Sequence, residues 1–108
     1  MILTRIIFTT LPEKRKELMQ TLISMFETNG KENGCISHDI FCDIHEATVF
    51  NLIEEWKTRE DLNRYIKSER FSVLLGTKSL LSRPLEIKIH SVFYTEGNDA
   101  VYILRNKQ

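Results

Sequence analysis

The chain has 108 residues, which is enough for one domain with a single hydrophobic core but not for two. Its 15 basic residues balance its 15 acidic residues, and no apolar run approaches the roughly 20 residues of a membrane-spanning helix, so we expect neither nucleic acid nor a membrane as a partner. The amino-terminal MILTRIIF lacks a basic leader and the two cysteines suit reduced thiols, which predicts a cytoplasmic protein.

Residues 2–9 form the first predicted strand, and both of its faces are largely apolar. A strand of this kind is usually covered on both sides. Because helices of a small domain can cover one side, the pattern predicts that a second subunit covers the other.

An amphipathic helix follows this strand. Thr10, Pro12 and Glu13 have the residue types of a helix start. The apolar residues then recur at helical spacing, and they are Leu18, Met19, Leu22, Ile23, Met25 and Phe26. We expect this face to pack on a sheet and Asn29-Gly30 to end the helix.

The middle of the chain predicts an antiparallel hairpin followed by a helix. Residues 34–43 and 48–56 alternate as strands on either side of a short polar turn. Cys35 and His38 stand at odd and even positions, so we expect them to face opposite ways and to share no metal ion. Thr58 precedes the carboxylate of Asp61 by three residues, which is close to a capping box and predicts a helix start.

The remaining elements complete a ferredoxin-like α+β fold. A further helix is predicted between Ser68 and Gly76, and residues 85–94 form the fourth strand. The order β-α-β-β-α-β predicts a four-stranded antiparallel sheet with helices on one face. Two such sheets facing each other would form a dimeric α+β barrel.

The domain is expected to span residues 1–95, with residues 96–108 as a carboxy-terminal extension. Within the extension, residues 100–104 have the apolar character of a fifth, short strand. An apolar strand needs a neighbour, so we expect it at the dimer interface, crossing to the partner subunit.

Four short motifs resemble those of the antibiotic biosynthesis monooxygenase domain family. They are Gly34-Cys35 opening the second strand, Glu54-x-Trp56 ending the third, Ser68-x-x-Phe71 after the second helix, and Pro84-x-Glu86-Ile87 opening the last strand. The resemblance covers roughly residues 1–92 and implies a homodimeric barrel. It also implies oxidation of a small aromatic, quinol-like compound without metal or other cofactor, in a pocket between sheet and helices.

The chain departs from the family where many members have histidine. Tyr65, nine residues after the motif tryptophan, and Arg70, just before the motif phenylalanine, hold these positions. The places of the asparagine, the tryptophan and the axial histidine of the haem-degrading branch contain Thr4, Tyr65 and Leu75. Without the axial ligand we do not expect haem degradation.

These departures keep two alternatives to the monooxygenase open. One is a non-catalytic dimer of the same fold that binds a small ligand, which the missing histidines favour. The other is an isomerase of a small carbonyl compound, which needs only an acid–base pair.

The candidate catalytic residues are His38, Trp56 and Tyr65. His38 is either a general base or a hydrogen-bonded histidine in the core or at an interface. Trp56 either lines an aromatic pocket or anchors the joint between strand and helix. Tyr65 is either a proton donor in place of the missing histidine or a core aromatic with its hydroxyl at the surface.

The candidate substrate-binding residues are Asn51, Glu54, Arg70 and Phe71. Asn51 would point away from Trp56, toward a ligand or toward a dimer interface. Glu54 is either a buried acid that orients basic groups or a solvated edge residue. Arg70 either pairs with an anionic substrate or is a solvated charge at a helix end.

Overall fold

The computed structural model describes residues 1–27 and 32–107. In chain order its elements are β1 (Ile2–Thr9), a 3-10 turn (Pro12–Lys14), α1 (Arg15–Glu27), β2 (Cys35–Cys42), β3 (Val49–Trp56), α2 (Arg59–Ile66), α3 (Glu69–Leu75), a second 3-10 turn (Gly76–Leu80), β4 (Glu86–Ser91) and α4 (Asn98–Arg105). The predicted β-α-β-β-α-β order is confirmed. The predicted helix stop at Asn29-Gly30 lies outside the described residues.

The four strands form one antiparallel sheet in the order β2-β3-β1-β4. The central strands are therefore β1 and β3, and the edges are β2 and β4. Ile6 on β1 lies opposite Leu52 on β3 and Ile87 on β4, which fixes the register. Burial in β3 alternates residue by residue, so its even-numbered side chains face the core.

The hydrophobic core lies between the sheet and helices α1, α2 and α3. Its residues are Ile6, Phe8, Leu18, Leu22, Met25, Phe26, Phe50, Leu52, Trp56, Leu62, Tyr65, Phe71 and Leu74. The period of two in the strands and the helical spacing in α1 converge on this one layer. Full burial of a large apolar side chain stabilises a fold by about 1.5–3 kcal/mol, so this layer is the main source of stability.

Helices α1, α2 and α3 all pack on the core side of the sheet and leave its opposite face to other contacts. This opposite face is mixed in character, because Leu3, Ile7 and Ile53 alternate with polar side chains. Arg5 donates from Nε to Oδ1 of Asn51 at 2.9 Å on this face. The prediction of a largely apolar second face therefore holds for only part of its surface.

A register irregularity in β2 changes which side chains face the core. The pairing with β3 shifts between Cys35 and Ser37, so Cys35 lies opposite Trp56. Cys35 packs against the core, and His38, opposite Glu54, lies on the same side. The prediction that Cys35 and His38 face opposite ways is wrong, because the irregularity interrupts the odd–even alternation between them.

The predicted fifth strand at residues 100–104 is also wrong, because these residues lie in α4. The sheet edge ends at Val92, whose amide donates to the carbonyl of Met1, and α4 begins after it. A helix satisfies its backbone groups internally, whereas a strand here would need a neighbour. Asp99 in the first turn and Arg105 in the last turn complement the helix dipole.

Gly34 occupies a position that no larger residue can fill. Its φ is 86°, and a Cβ placed there would overlap the carboxyl group of Asp61. The carboxyl group of Asp61 is held in place, because its Oδ2 accepts from the Thr58 hydroxyl at 2.9 Å and its Oδ1 accepts from Nη1 of Arg64 at 3.1 Å. We expect Gly34→Ala to lower the free energy of unfolding by roughly 2–3 kcal/mol, measured by urea titration.

Gly76 provides the matched control for that substitution. A Cβ there meets nothing within 4 Å, and its φ of −66° suits alanine. Gly76→Ala should therefore be neutral or stabilise by about 0.5 kcal/mol. Equal unfolding midpoints for the two variants would contradict the steric account of Gly34.

Candidate functional site

A row of polar side chains crosses the core-facing side of the sheet. In register across the strands it contains His38 on β2, Glu54 on β3 and Thr4 on β1. Thr4 and Glu54 are each only 2% exposed. A carboxyl group this deeply buried is rare and needs hydrogen-bond partners, so the row is the natural place to look for function.

A chain of hydrogen bonds orients the buried carboxyl group. Nε1 of Trp56 donates to Oγ1 of Thr4 at 3.4 Å, and the Thr4 hydroxyl donates to Oε1 of Glu54 at 3.2 Å. The direction follows because the indole nitrogen can only donate. Trp56 therefore holds Thr4 in the orientation that supports Glu54.

Aromatic rings form a wall beside this row. The ring centroids of Trp56 and Tyr65 lie 4.9 Å apart in a stacked arrangement, and Phe71 meets Tyr65 edge-on at 5.2 Å. On the side of α1, the ring of Phe26 lies 5.0 Å from that of His38. Trp56, Tyr65 and Phe71 all belong to the buried core.

Arg70 brings a positive charge to the same region. Its Nη1 donates to Oε1 of Glu32 at 3.2 Å, its Nη2 donates to the carbonyl of Met25, and the guanidinium lies 5.1 Å over the ring of Phe26. Its side chain is 13% exposed. The alternative of a solvated charge at a helix end is therefore wrong.

Tyr65 buries its hydroxyl in the core. The residue is 2% exposed, and the hydroxyl has no hydrogen-bond partner within residues 1–27 and 32–107. The alternative that places this hydroxyl at the surface is therefore wrong. A buried donor without an acceptor is unusual in a native protein and requires an explanation.

The electrostatic environment sets the protonation of these groups. Burial raises the pKa of Glu54 to about 7, although the hydrogen bond from Thr4 and the charge of Arg70 both act to lower it. Burial, followed by the charge of Glu54, raises the pKa of the Tyr65 hydroxyl well above its usual value. Near neutral pH, Glu54 is therefore present in both forms, whereas Tyr65 remains a neutral donor.

Most of the predicted site residues come together, and one does not. The residues on the core-facing side are His38, Glu54, Trp56, Tyr65, Arg70 and Phe71. Asn51 lies on the opposite face and pairs with Arg5, so it does not contribute to this cluster. Sequence reasoning missed the linking role of Thr4; a hydroxyl within the apolar face of the first strand was its signal.

Within residues 1–27 and 32–107, no group of three or more His, Cys, Asp or Glu side chains could hold a metal ion. In that same part of the chain, no helix combines the length and the apolar character needed to cross a bilayer.

The chain belongs to the antibiotic biosynthesis monooxygenase family, whose profile matches residues 1–74. A curated relative in Bacillus subtilis (strain 168), the candidate monooxygenase YcnE, is 29% identical over 77 residues, which span 70% of this chain and 81% of that protein. The resemblance inferred from the four motifs is therefore confirmed.

Solved structures share the fold. A conserved protein from Methanosarcina mazei Go1 is 28% identical with a TM-score of 0.76, covering 82% of this chain and 89% of that one. A candidate antibiotic biosynthesis monooxygenase from Deinococcus radiodurans has a TM-score of 0.81 at 16% identity, and the match covers 90% of this chain and 97% of that one. The second likeness supports the ferredoxin-like α+β fold alone.

Proposed function

We propose that this protein is a monooxygenase-like enzyme that oxidises a small aromatic compound with a phenolic hydroxyl, without metal or other cofactor. Membership of the family and the relative in Bacillus subtilis support oxygenase chemistry. The observation that carries the proposal is Glu54, a buried carboxyl group with a pKa of about 7 beside an aromatic wall. A base with a pKa near the working pH is well suited to remove a phenolic proton.

The proposed reaction needs no reductant besides the substrate. The Glu54 carboxylate accepts the hydroxyl proton, and the resulting phenolate is electron-rich enough to react with O₂. One oxygen atom enters the ring and the other leaves as water, so a phenol becomes a quinone and supplies all the electrons. Trp56, Tyr65 and Phe71 would hold the ring, and His38, half-buried beside Glu54, would pass the proton toward solvent.

Oxygen consumption tests this proposal. With hydroquinones and naphthols in chelator-treated buffer, we expect uptake above the rate without protein. Trp56→Phe keeps a ring but removes the donor to Thr4, so uptake should fall by roughly 10-fold or more. Uptake equal to that of buffer for the whole panel, or unchanged in Trp56→Phe, would contradict the proposal.

A ligand-binding protein without catalysis is the second candidate. Tyr65 and Arg70 stand where many family members have histidine, but the aromatic wall would still hold a flat ligand. This candidate predicts that naphthols quench the fluorescence of Trp56 on binding while oxygen uptake stays at background.

We also propose that two copies of the chain assemble through a carboxy-terminal arm, defined as residues 93–105. Large apolar side chains of the arm are exposed, with Phe93 at 97%, Tyr94 at 78% and Leu104 at 69%. The Cα radius of gyration is 16.3 Å, against about 13 Å for a compact domain near this size, in keeping with a projecting arm. A two-fold arrangement would cover both arms at once.

A further inference from the structure

The edge strand β4 is not covered by the helix layer. Ile87 lies opposite Ile6 of β1, so its side chain points to the core-facing side of the sheet, and Ile89, opposite Thr4, points the same way. The two β1 residues are 1% and 2% exposed, whereas Ile87 and Ile89 are 39% and 38% exposed. The helices therefore cover the central strand and leave an apolar ridge, defined as Ile87 and Ile89, open at the sheet edge.

The outward side of β4 differs from the ridge. It carries Glu86, Lys88 and His90, and Nζ of Lys88 lies 3.7 Å from Oε1 of Glu86. A partner with an apolar surface would have to remove these polar groups from water, which is unfavourable. Such a partner is therefore expected on the ridge, whose two side chains stand about 6.6 Å apart along the strand.

The arm carries a matching apolar surface. In α4, Ala100, Ile103 and Leu104 recur at helical spacing and form one stripe, and every residue of this helix is at least partly exposed. The stripe borders a concavity of about 550 Å³, whose other wall is formed by residues 94–97. A concavity in the size range of ligand pockets has room for two isoleucine side chains.

The ridge and the stripe both remain exposed within one chain. Residues 92–97 join β4 to α4 and can span roughly 20 Å when extended. Because β4 is an edge strand, a second copy can approach beside it. Exchange of arms between two copies would cover both ridges and both stripes in one closed, two-fold assembly.

We propose that the arm of each copy docks on the ridge of the other copy, with Ile87 and Ile89 inserted into the concavity of the arm. The inference rests on the proposed assembly through the arm and adds the surface that receives it. Thr4, in the polar row of the candidate site, stands opposite Ile89. The docked arm therefore also covers the β4 end of that row, so each site is closed by a segment of the other copy.

Disulfide trapping between two variants tests this arrangement. Ile89→Cys and Ile103→Cys are prepared in separate chains of different mass, both with Cys42→Ser because Cys42 is exposed. A disulfide requires Cα atoms roughly 4.4–6.8 Å apart, so mild oxidation of the mixture should give roughly 10-fold more mixed product than self-linked product. Each variant oxidised alone measures any linkage through the half-buried Cys35.

Lys88→Cys is the matched control for Ile89→Cys. It is the adjacent residue of β4, and its side chain points to the outward side, opposite Arg5. Lys88→Cys should not link to Ile103→Cys. Linkage through Lys88→Cys instead of Ile89→Cys would place the arm on the outward side and overturn the inference. A chain carrying both Ile89→Cys and Ile103→Cys that closes a disulfide within itself would overturn the exchange between copies.

Substitution on the ridge gives a second measurement, by sedimentation. Ile89→Ser should raise the dissociation constant of the dimer by roughly 10-fold or more, although Ile89 lies outside the arm, because buried apolar anchors dominate such interfaces. Lys88→Ser should leave the dissociation constant unchanged, because exposed ion pairs contribute little. Thermal midpoints verify that both variants are folded, and equal constants for the wild type and folded Ile89→Ser would overturn the inference.

The outcomes separate this inference from the assembly on which it rests. Linkage between residues 89 and 103 in the mixture, together with weaker assembly of Ile89→Ser, would support the docking of the arm on the ridge. A dimer that depends on the arm but gives no such linkage would overturn the docking and leave the assembly in place. A full chain that sediments as a monomer would overturn both.

Discussion

Glu54→Gln should abolish oxygen uptake while making the folded protein more stable above pH 7. Glutamine has the same shape and can still accept the hydrogen bond that Thr4 donates to Oε1. It cannot accept a proton from a phenol, so the rate should fall by about 10²–10⁴-fold, the contribution expected of a general base.

The gain in stability follows from the raised pKa of Glu54. The pKa is about 7 in the folded protein against 4.5 for an ordinary glutamate, so the folded state holds this proton more tightly. The contribution of protonated Glu54 to the free energy of unfolding is therefore fully present below about pH 4.5. It is lost as the pH rises through about 7. A pKa shift of this size corresponds to a loss of roughly 3 kcal/mol in the free energy of unfolding between low and high pH. The glutamine variant should not show this loss, because its side chain does not titrate.

Urea titrations at about pH 5 and about pH 8 measure this effect, beside oxygen uptake. Glu55→Gln is the matched control, because Glu55 lies on the opposite face of the same strand and accepts from the Ser37 hydroxyl at 2.6 Å. It should keep both the activity and the pH dependence of stability. If Glu54→Gln retains uptake, or if its stability falls with pH as in the wild type, Glu54 is not the buried base.

The fold could be predicted because its signals are local. Thr58 and Ser68 accept hydrogen bonds from the amides of Asp61 and Phe71, so each is a helix cap that the residue types already indicated. The Ser-x-x-Phe motif is thus a cap joined to a core anchor, since Phe71 is buried. Such motifs specify the family fold rather than a reaction.

The side of the sheet on which each site residue lies was predictable in part. Alternation placed Trp56 and Asn51 on opposite faces of β3, and the structure confirms this. The core position of the Tyr65 ring was one of the predicted alternatives, but the burial of its hydroxyl and of Arg70 was not predictable, because it depends on how α2 and α3 pack against distant strands. The shift at Cys35 likewise arises from pairing with β3 and has no local signal.

The wrong prediction of a strand at residues 100–104 of the arm has a different cause. A short apolar run such as residues 100–104 fits a strand and a helix equally well, and tertiary surroundings decide between them. In the structure these residues pair with neither edge of the sheet and lie in α4, which satisfies their backbone groups internally.

Truncation after Val92 should convert a dimer into a monomer. The six most exposed apolar side chains of the arm are Phe93, Tyr94, Val101, Tyr102, Ile103 and Leu104. Three of these six side chains are aromatic. Together the six expose roughly 700 Å² of surface, which exceeds the largest apolar patch of a typical monomer. Two arms and the surfaces that receive them would bury roughly 2,800 Å², an area in the range of obligate dimers.

Sedimentation at micromolar concentration measures the assembly of the full chain and of the truncated chain. The cut preserves the bond between Val92 and Met1 at the sheet edge, so the truncated domain should remain folded. Tyr102→Ser combined with Leu104→Ser should weaken the dimer by at least 100-fold, because buried aromatic and leucine anchors dominate such interfaces. Lys107→Ser, at the end of the described chain, serves as the control. A full chain that sediments as a monomer, or a truncated chain that remains a dimer, would show that the arm does not join two copies.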